Sequence, residues 1–122
     1  MKPPIVGVAN AQDRPKSKYR NVKTAGHASK KEAKRAQELR LLEKKGLIAD
    51  LLEQERFLLI PKQDGERAVY YVSDFTYRMP RYDLPKTEWP LVVEDCKGYR
   101  TDVYKIKRKL MLWVRGITIT ET

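Results

Sequence analysis

The chain contains one cysteine and one histidine among its 122 residues. A single cysteine excludes an internal disulfide bond and suits a reducing compartment. One cysteine with one histidine also cannot form a zinc site. No apolar run approaches the about 20 residues that a transmembrane helix needs, and the apolar stretch after Met1 is too short for a signal peptide. These absences favour a cytoplasmic protein without structural zinc.

Acidic residues are in the minority, with 26 Lys+Arg against 16 Asp+Glu and a formal net charge of +10. Such an excess is typical of a protein that binds a polyanion, and nucleic acid is the commonest one. The alternative is a basic protein of ribosomal type, or one whose charge serves only solubility. The length fits one domain that can bury a real core.

Residues 1–28 differ in character from the rest of the chain. They contain Pro3, Pro4 and Pro15, and no period of 2 or 3.6 residues emerges. We expect a basic, largely irregular N-terminal arm, which could order on phosphate groups or remain a solvated tail. Residues 29–122 form the predicted folded domain.

Two helices are predicted in this domain. Ser29-Lys-Lys-Glu32 matches a capping box, so the first helix should run from Lys30 to Lys45 and end at Gly46. Thr101 caps a second helix from Asp102 to about Trp113. The apolar spacing of this second helix predicts a buried face formed by Val103, Ile106, Leu110 and Trp113.

Strand-like runs account for the remainder. They cover residues 53–60, 67–75, 91–97 and 117–120. The third run is nearly all apolar before its charged end, as a buried central strand should be. The order is helix, three strands, helix, strand, and we expect an α/β fold with a mixed sheet flanked by helices.

Two of these strands carry an aspartate near their end, Asp74 and Asp95. Side chains alternate along a strand, so Asp95 and Lys97 share one face while Glu94 and Cys96 point to the other. If the strands pair, Asp74 meets Asp95 and Lys97. Two carboxylates and one ammonium could then hold a hard divalent cation and place water against a phosphodiester. The alternative is a surface salt bridge at a strand end.

Several segments together resemble a known superfamily. Ser73-Asp74 and Glu94-Asp95-Cys96-Lys97-Gly98, with the order αβββαβ, resemble the PD-(D/E)XK nucleases, which have a restriction-endonuclease-like core. Ser73 stands where that pattern has proline. Over roughly residues 18–121 the chain also resembles a family of small phage-encoded proteins, catalogued as a domain of unknown function and assigned to that superfamily. Further segments in this resemblance are Lys18-Tyr19-Arg20-Asn21, Ser29-Lys30-Lys31-Glu32-Ala33, Gln54 with Phe57, and Tyr104-Lys105-Ile106-Lys107.

The resemblance implies roles for individual residues. Asp74, Asp95 and the backbone carbonyl of Cys96 would ligate Mg²⁺ or Mn²⁺. Lys97 would orient the attacking water and offset charge on the phosphate. Glu32 would lie near the metal, although as the third helical residue it could serve only the cap. Gln54 would support the site.

The expected function is that of a Mg²⁺-dependent DNA endonuclease acting in the host cytoplasm during phage recombination or packaging. Its small size favours recognition of branched DNA, such as a Holliday junction, and cutting two strands would suit a homodimer. Alternatives are a non-catalytic nucleic-acid-binding protein on the same fold, or a sequence-specific nicking or restriction enzyme. The residues expected to grip phosphates are Lys18, Arg20, Lys30, Lys31, Lys34, Arg35, Lys105, Lys107, Arg108 and Lys109.

Overall fold

The computed structural model describes residues 29–122. The predicted arm, with Lys18 and Arg20, lies outside these residues. A mixed sheet of four strands and a smaller antiparallel sheet of two strands form the framework. The predicted α/β class is confirmed. The elements are α1 (Lys30–Lys44), β1 (Ala49–Glu53), β2 (Arg56–Ile60), β3 (Val69–Val72), β4 (Phe75–Arg78), β5 (Leu91–Asp95), α2 (Asp102–Leu110) and β6 (Thr120–Glu121).

Helix α1 has the ends that its sequence predicts. The Ser29 side chain accepts a hydrogen bond from the Glu32 N–H, which satisfies one of the free donors of the first turn. At the other end, Gly46 adopts a left-handed φ of 79°. The amides of Gly46 and Leu47 donate to the carbonyls of Glu43 and Leu42, at 3.0 Å each. This is a Schellman ending, for which glycine has the least strain.

The first two predicted strands, 53–60 and 67–75, were each wrong near one end, where the structure has a break and a further strand beyond it. β1 and β2 are separated at Gln54, which has φ 57°, and β3 and β4 are separated at Ser73 and Asp74. β1 pairs with β4 and β2 pairs with β3, both antiparallel. The four strands therefore form one long hairpin in which both strands are interrupted at the same place. The β2–β3 half forms the two-stranded sheet, and the β1–β4 half belongs to the four-stranded sheet.

The four-stranded sheet has the order β1-β4-β5-β6. β4 and β5 are antiparallel, with Phe75 opposite Glu94, and β6 runs parallel to β5, with Glu121 opposite Asp95. The start of β4 and the end of β5 consequently lie at the same end of the sheet. This topology places Asp74, which directly precedes β4, beside the last residues of β5.

The two helices cover opposite faces of this sheet. Alternation along β5 directs Val92 into a cluster with Ala36 and Leu39 of α1. Val93 packs instead into a cluster with Tyr104 of α2, which also includes Met111, Phe57, Leu59, Tyr71 and Ile119. Apart from the partly buried Val92, these side chains are nearly fully buried, so removal of apolar surface from water stabilises both faces.

The buried face predicted for the second helix was wrong at three of its four positions, since only Leu110 packs against the core. Val103, Ile106 and Trp113 are 62%, 58% and 48% exposed. The helix instead turns Tyr104 and Met111 towards the sheet. After Leu110 it continues as a π-helical turn, Met111–Arg115, and ends at Gly116 with φ 70°. Val103 and Ile106 precede this turn, so their exposure follows from the packing of Tyr104 on the sheet and not from the wider turn.

One buried ion pair joins α1 to the sheet. Arg35 donates to both carboxylate oxygens of Glu94, from Nε at 2.8 Å and from Nη2 at 2.6 Å. Tyr77 also donates to Glu94. The Glu94 side chain is only 1% exposed, so its charge depends on these partners.

No helix within residues 29–122 is long and apolar enough to cross a membrane.

We expect Arg35→Ala to lower the free energy of unfolding by about 3 kcal/mol, because it leaves a buried carboxylate without its cation. Urea denaturation at pH 7 measures this loss. Arg81→Ala is the matched control, since the Arg81–Asp83 pair is similarly close at 2.8 Å but more than half exposed. The control should change stability by less than about 1 kcal/mol. Equal losses of unfolding free energy in both variants would contradict the conclusion that the Arg35–Glu94 pair stabilises the fold more than an exposed pair does.

Candidate active site

The backbone of Asp74 is held from two sides at the break between β3 and β4. Its N–H donates to the Glu94 carbonyl at 3.1 Å, and its carbonyl accepts from the Gln54 N–H at 3.1 Å. Its carboxylate oxygen Oδ2 accepts from the Cys96 N–H at 2.6 Å. These three bonds fix Asp74 against the end of β5.

Asp95 and Lys97 lie on the same face of β5, as alternation predicts. Asp95 Oδ1 and Lys97 Nζ are 3.2 Å apart. The other oxygen, Oδ2, accepts from the Tyr71 hydroxyl at 2.6 Å. Burial and this hydrogen bond raise the pKa of Tyr71 far above its ordinary value, so the phenol remains a donor at any physiological pH. Asp95 is 4% exposed.

Glu32 belongs to the same cluster although it is on α1. Its side chain is 6% exposed, and its charge contributes to raising the pKa of both Asp74 and Cys96. The structure is therefore compatible with both roles expected for Glu32, one near the metal and one in the helix cap. Its backbone N–H is capped by Ser29, while its carboxylate is close enough to act electrostatically on Asp74.

The crowding of carboxylates is clearest at Asp74. Desolvation by burial raises its pKa to about 7. The hydrogen bond from Cys96 opposes this shift, repulsion from Asp95 and Glu32 adds to it, and Lys97 partly offsets it. The positive charge of Lys97 does not bring the pKa of Asp74 back to its ordinary value, so a further cation at this place would stabilise the ionised carboxylates.

Gln54 has its clearest role through its backbone. Its left-handed conformation is uncommon for a residue other than glycine, and it directs the N–H towards the Asp74 carbonyl. The neighbouring Glu55 carbonyl accepts from the Ser73 N–H at 2.9 Å. The break between β1 and β2 thus supports the break that presents Asp74.

The residues present fit a magnesium-like cation. Among residues 29–122 there is no group of three or more His, Cys, Asp or Glu side chains arranged to hold a metal ion. Mg²⁺ does not need such a group, because it usually retains several waters and uses one or two carboxylates together with substrate phosphates. Asp74 and Asp95 supply two carboxylates, and each carboxylate oxygen can accept a second interaction.

Comparison with models of protein families matches residues 14–115 to the family described as "Protein of unknown function (DUF1064)". The chain belongs to this family. The match covers all of the residues that form the carboxylate cluster, and it begins within the predicted arm. No curated protein and no solved structure matches the chain.

The basic residues predicted to bind DNA fall into two groups. Arg35 is engaged by Glu94 and Glu38, and Arg108 lies 3.4 Å from Glu121, so these guanidinium groups already have acidic partners. Lys107 is half-buried. The lysines on the surface are Lys30, Lys31 and Lys34 of α1 and Lys105 and Lys109 of α2.

Three residues around the cluster escape prediction from the sequence. Tyr71 holds Asp95, the Tyr104 ring lies 4.0 Å from Lys97 Nζ, and Glu121 accepts from the Tyr104 hydroxyl at 2.7 Å. Alternation along 67–75 could have suggested Tyr71 only if the strand break were known. The pairing of β6 with the end of β5 has no local signal.

We expect Asp74→Asn to stabilise the metal-free protein in a pH-dependent way. The folded-state pKa of about 7 lies above the ordinary aspartate pKa of 3.8. The contribution of Asp74 to stability is therefore complete below about pH 4 and is lost as pH rises through 7. Asparagine can still accept from Cys96. In EDTA, the gain in free energy of unfolding should grow between pH 5 and pH 8 by on the order of 2 kcal/mol.

Denaturation curves of both proteins at several pH values measure this gain. Asp64→Asn, on the exposed Gln63–Glu66 turn, is the matched control. A gain for Asp74→Asn that stays constant with pH would contradict the electrostatic account of the cluster.

Proposed function

We propose that this protein is a Mg²⁺- or Mn²⁺-dependent endonuclease of the PD-(D/E)XK type that hydrolyses phosphodiester bonds in DNA. The observation that carries the proposal is the meeting of Asp74, Asp95 and Lys97 at one end of the sheet. The resemblance of Ser73-Asp74 and Glu94-Asp95-Cys96-Lys97 to the two half-motifs supports it, as does the net charge of +10.

Each residue has a role that its chemistry allows. Asp74 and Asp95, with the main-chain carbonyl of Cys96, would hold the cation. Bound there, Mg²⁺ or Mn²⁺ would polarise the phosphate and acidify a water molecule. Lys97 is 3.2 Å from Asp95, so its ammonium would face the same phosphate and stabilise the charge that develops on it. Tyr71 would keep the Asp95 carboxylate from rotating.

We take a cavity on the α1 face of the sheet, which reaches Cys96, as the place where the DNA backbone would approach the cluster. It has a volume of about 330 Å³ and lies between α1 and the end of β5. Its lining residues are Lys31, Lys34, Arg35, Glu38, Cys96 and Thr122. The exposed lysines would bind a phosphate next to the one that is cut, which gives affinity without reading sequence.

One observation favours a second function, that of a non-catalytic nucleic-acid-binding protein. Both oxygens of Asp95 already have partners, Lys97 and Tyr71. An ion pair satisfied in this way could have a structural role only. The two functions differ in whether the protein cleaves DNA when a metal is added.

Cleavage should require both the metal and the lysine. We expect Mg²⁺ or Mn²⁺ to support cutting of labelled linear duplex, flap or four-way-junction DNA, and EDTA or Ca²⁺ to prevent it. Lys97→Ala should reduce the rate by about 10²–10³-fold, because it removes a charge placed where the transition state is negative. DNA affinity measured in Ca²⁺ should change little.

Asp95→Asn should abolish cleavage, although the asparagine can still accept the hydrogen bond from Tyr71. Asp83→Asn is the control, because Asp83 is more than half exposed on the loop before β5, and this variant should still cleave DNA. Tight DNA binding without cleavage in any metal would favour the non-catalytic function. Wild-type rates in Lys97→Ala would reject the proposed mechanism.

DNA in the cavity should protect Cys96 from alkylation. Cys96 is the sole cysteine of the chain, so alkylation by a low concentration of iodoacetamide at pH 8.5 reports on this place alone. Burial raises the pKa of its thiol, so an alkaline pH is needed. We expect saturating duplex DNA in Ca²⁺ to slow labelling at least fivefold, as followed by intact-protein mass spectrometry.

A charge-matched pair of variants tests whether the lysines of the cavity are responsible. Lys31→Glu with Lys34→Glu should weaken DNA binding and remove the protection. Lys44→Glu with Lys45→Glu makes the same charge change on exposed residues about 20 Å further along the helix, and protection should persist. Labelling that is unaffected by bound DNA would place the DNA elsewhere.

A further inference from the structure

Lys97 is held from two directions. On one side its ammonium pairs with Asp95 Oδ1 at 3.2 Å. On the other side Nζ lies 4.0 Å from the centroid of the Tyr104 ring. A cation over an aromatic face is attracted by the ring quadrupole, more strongly where both groups are removed from water. Tyr104 is 6% exposed, and the Lys97 side chain is 23% exposed.

The Tyr104 ring is itself fixed by Glu121. The Tyr104 hydroxyl donates to Glu121 Oε2 at 2.7 Å. Arg100 donates to the other carboxylate oxygen at 2.5 Å, and Arg108 approaches at 3.4 Å. The hydrogen bonds from Arg100 and Tyr104 lower the pKa of Glu121 to about 2, so it stays an acceptor through the physiological range.

The short strand β6 brings Glu121 to this position. Glu121 is paired with Asp95 across the two parallel strands. The Thr122 N–H donates to the Asp95 carbonyl at 3.0 Å, and the Lys97 N–H donates to the Thr122 carbonyl at 3.3 Å. The backbone that bears Asp95 and Lys97 is therefore bonded directly to Thr122, the residue that follows Glu121.

We infer that Tyr104 and Glu121 are positioning residues that fix the ammonium of Lys97 for the proposed reaction. A lysine has a flexible stem and a compact charge, so its head occupies one place only when its surroundings restrict it. A group that stabilises a transition state is most effective when it is already in place. Tyr104 supplies a surface against which the stem and ammonium rest, and Glu121 keeps this surface in place. The inference rests on the proposed function only in its catalytic part.

The position of Lys97 can be measured without any reaction. A ring 4.0 Å away shifts the resonances of the lysine Hε protons upfield. In ¹³C-resolved NMR spectra, we expect these protons of Lys97 to lie upfield of those of exposed lysines, and Lys97→Arg identifies the signal. Tyr104→Phe keeps the ring but loses the hydrogen bond to Glu121, so it should keep a reduced shift. Tyr104→Leu should lose it, and Glu121→Gln should reduce it.

Cleavage kinetics supply the second readout. Tyr104→Leu should lower kcat by roughly 10–100-fold, the range for residues that orient groups of a metal site, with little change in KM. Tyr104→Phe should lose less. Val103→Leu is the control, because Val103 is on the same helix and 62% exposed; it should change neither kcat nor the Lys97 shift. Amide spectra establish whether each variant is folded. If Tyr104→Leu is unfolded, Glu121→Gln replaces it in both measurements.

The outcomes separate the two proposals. A Lys97 shift in Tyr104→Leu equal to that of the wild type overturns the positioning inference, as does unchanged kcat in a variant that has lost the shift. If the wild type shows the shift, Tyr104→Leu loses it and no protein cleaves DNA, the inference holds for the geometry of Lys97 while the proposed nuclease function fails.

Discussion

The arrangement of the candidate site depends on the backbone hydrogen bonds of Asp74. Its N–H is bonded to Glu94 of β5, and its carbonyl is bonded to Gln54, where the other arm of the hairpin also breaks. An unbroken strand would continue the ladder past this point and direct Asp74 by simple alternation. The double break instead frees the peptide to turn, and the carboxylate reaches the Cys96 N–H at 2.6 Å. Gln54 adopts a strained left-handed backbone conformation, and this strain accompanies the break that positions Asp74.

Charge organises the rest of the site around that point. Asp74, Asp95 and Glu32 bring negative charge into a region with little water, and the raised pKa of Asp74 is the result. Lys97 offsets part of it from the α2 face of the sheet. Arg35 on the α1 face is directed to Glu94 and does not neutralise the cluster. The structure thus keeps its strongest buried ion pair separate from the carboxylates that we assign to a cation.

Local patterns predicted some parts of this molecule well and others poorly. The ends of α1 follow from Ser29 and Gly46, and the opposite faces of Val92 and Val93 follow from alternation in an uninterrupted strand. The breaks at Gln54 and Asp74 could not be predicted, because they arise from pairing between distant segments. Tyr71 and Phe75 would share a face in a regular strand, yet they pack in different clusters. The exposed Val103 and Ile106 show the same limit, since packing of Tyr104 on the sheet determines how α2 is oriented.

The most direct test of a cation held by Asp74 and Asp95 is paramagnetic broadening by Mn²⁺ in ¹⁵N-resolved NMR spectra. At low Mn²⁺ concentration, the account predicts selective loss of the amide signals of residues 74–76 and 95–97, with recovery on addition of excess Mg²⁺. The signals at the far end of α1, around Lys44, should remain. Broadening centred on another acidic group, such as Asp64 and Glu66, or the same broadening in a protein lacking both aspartates, would contradict it.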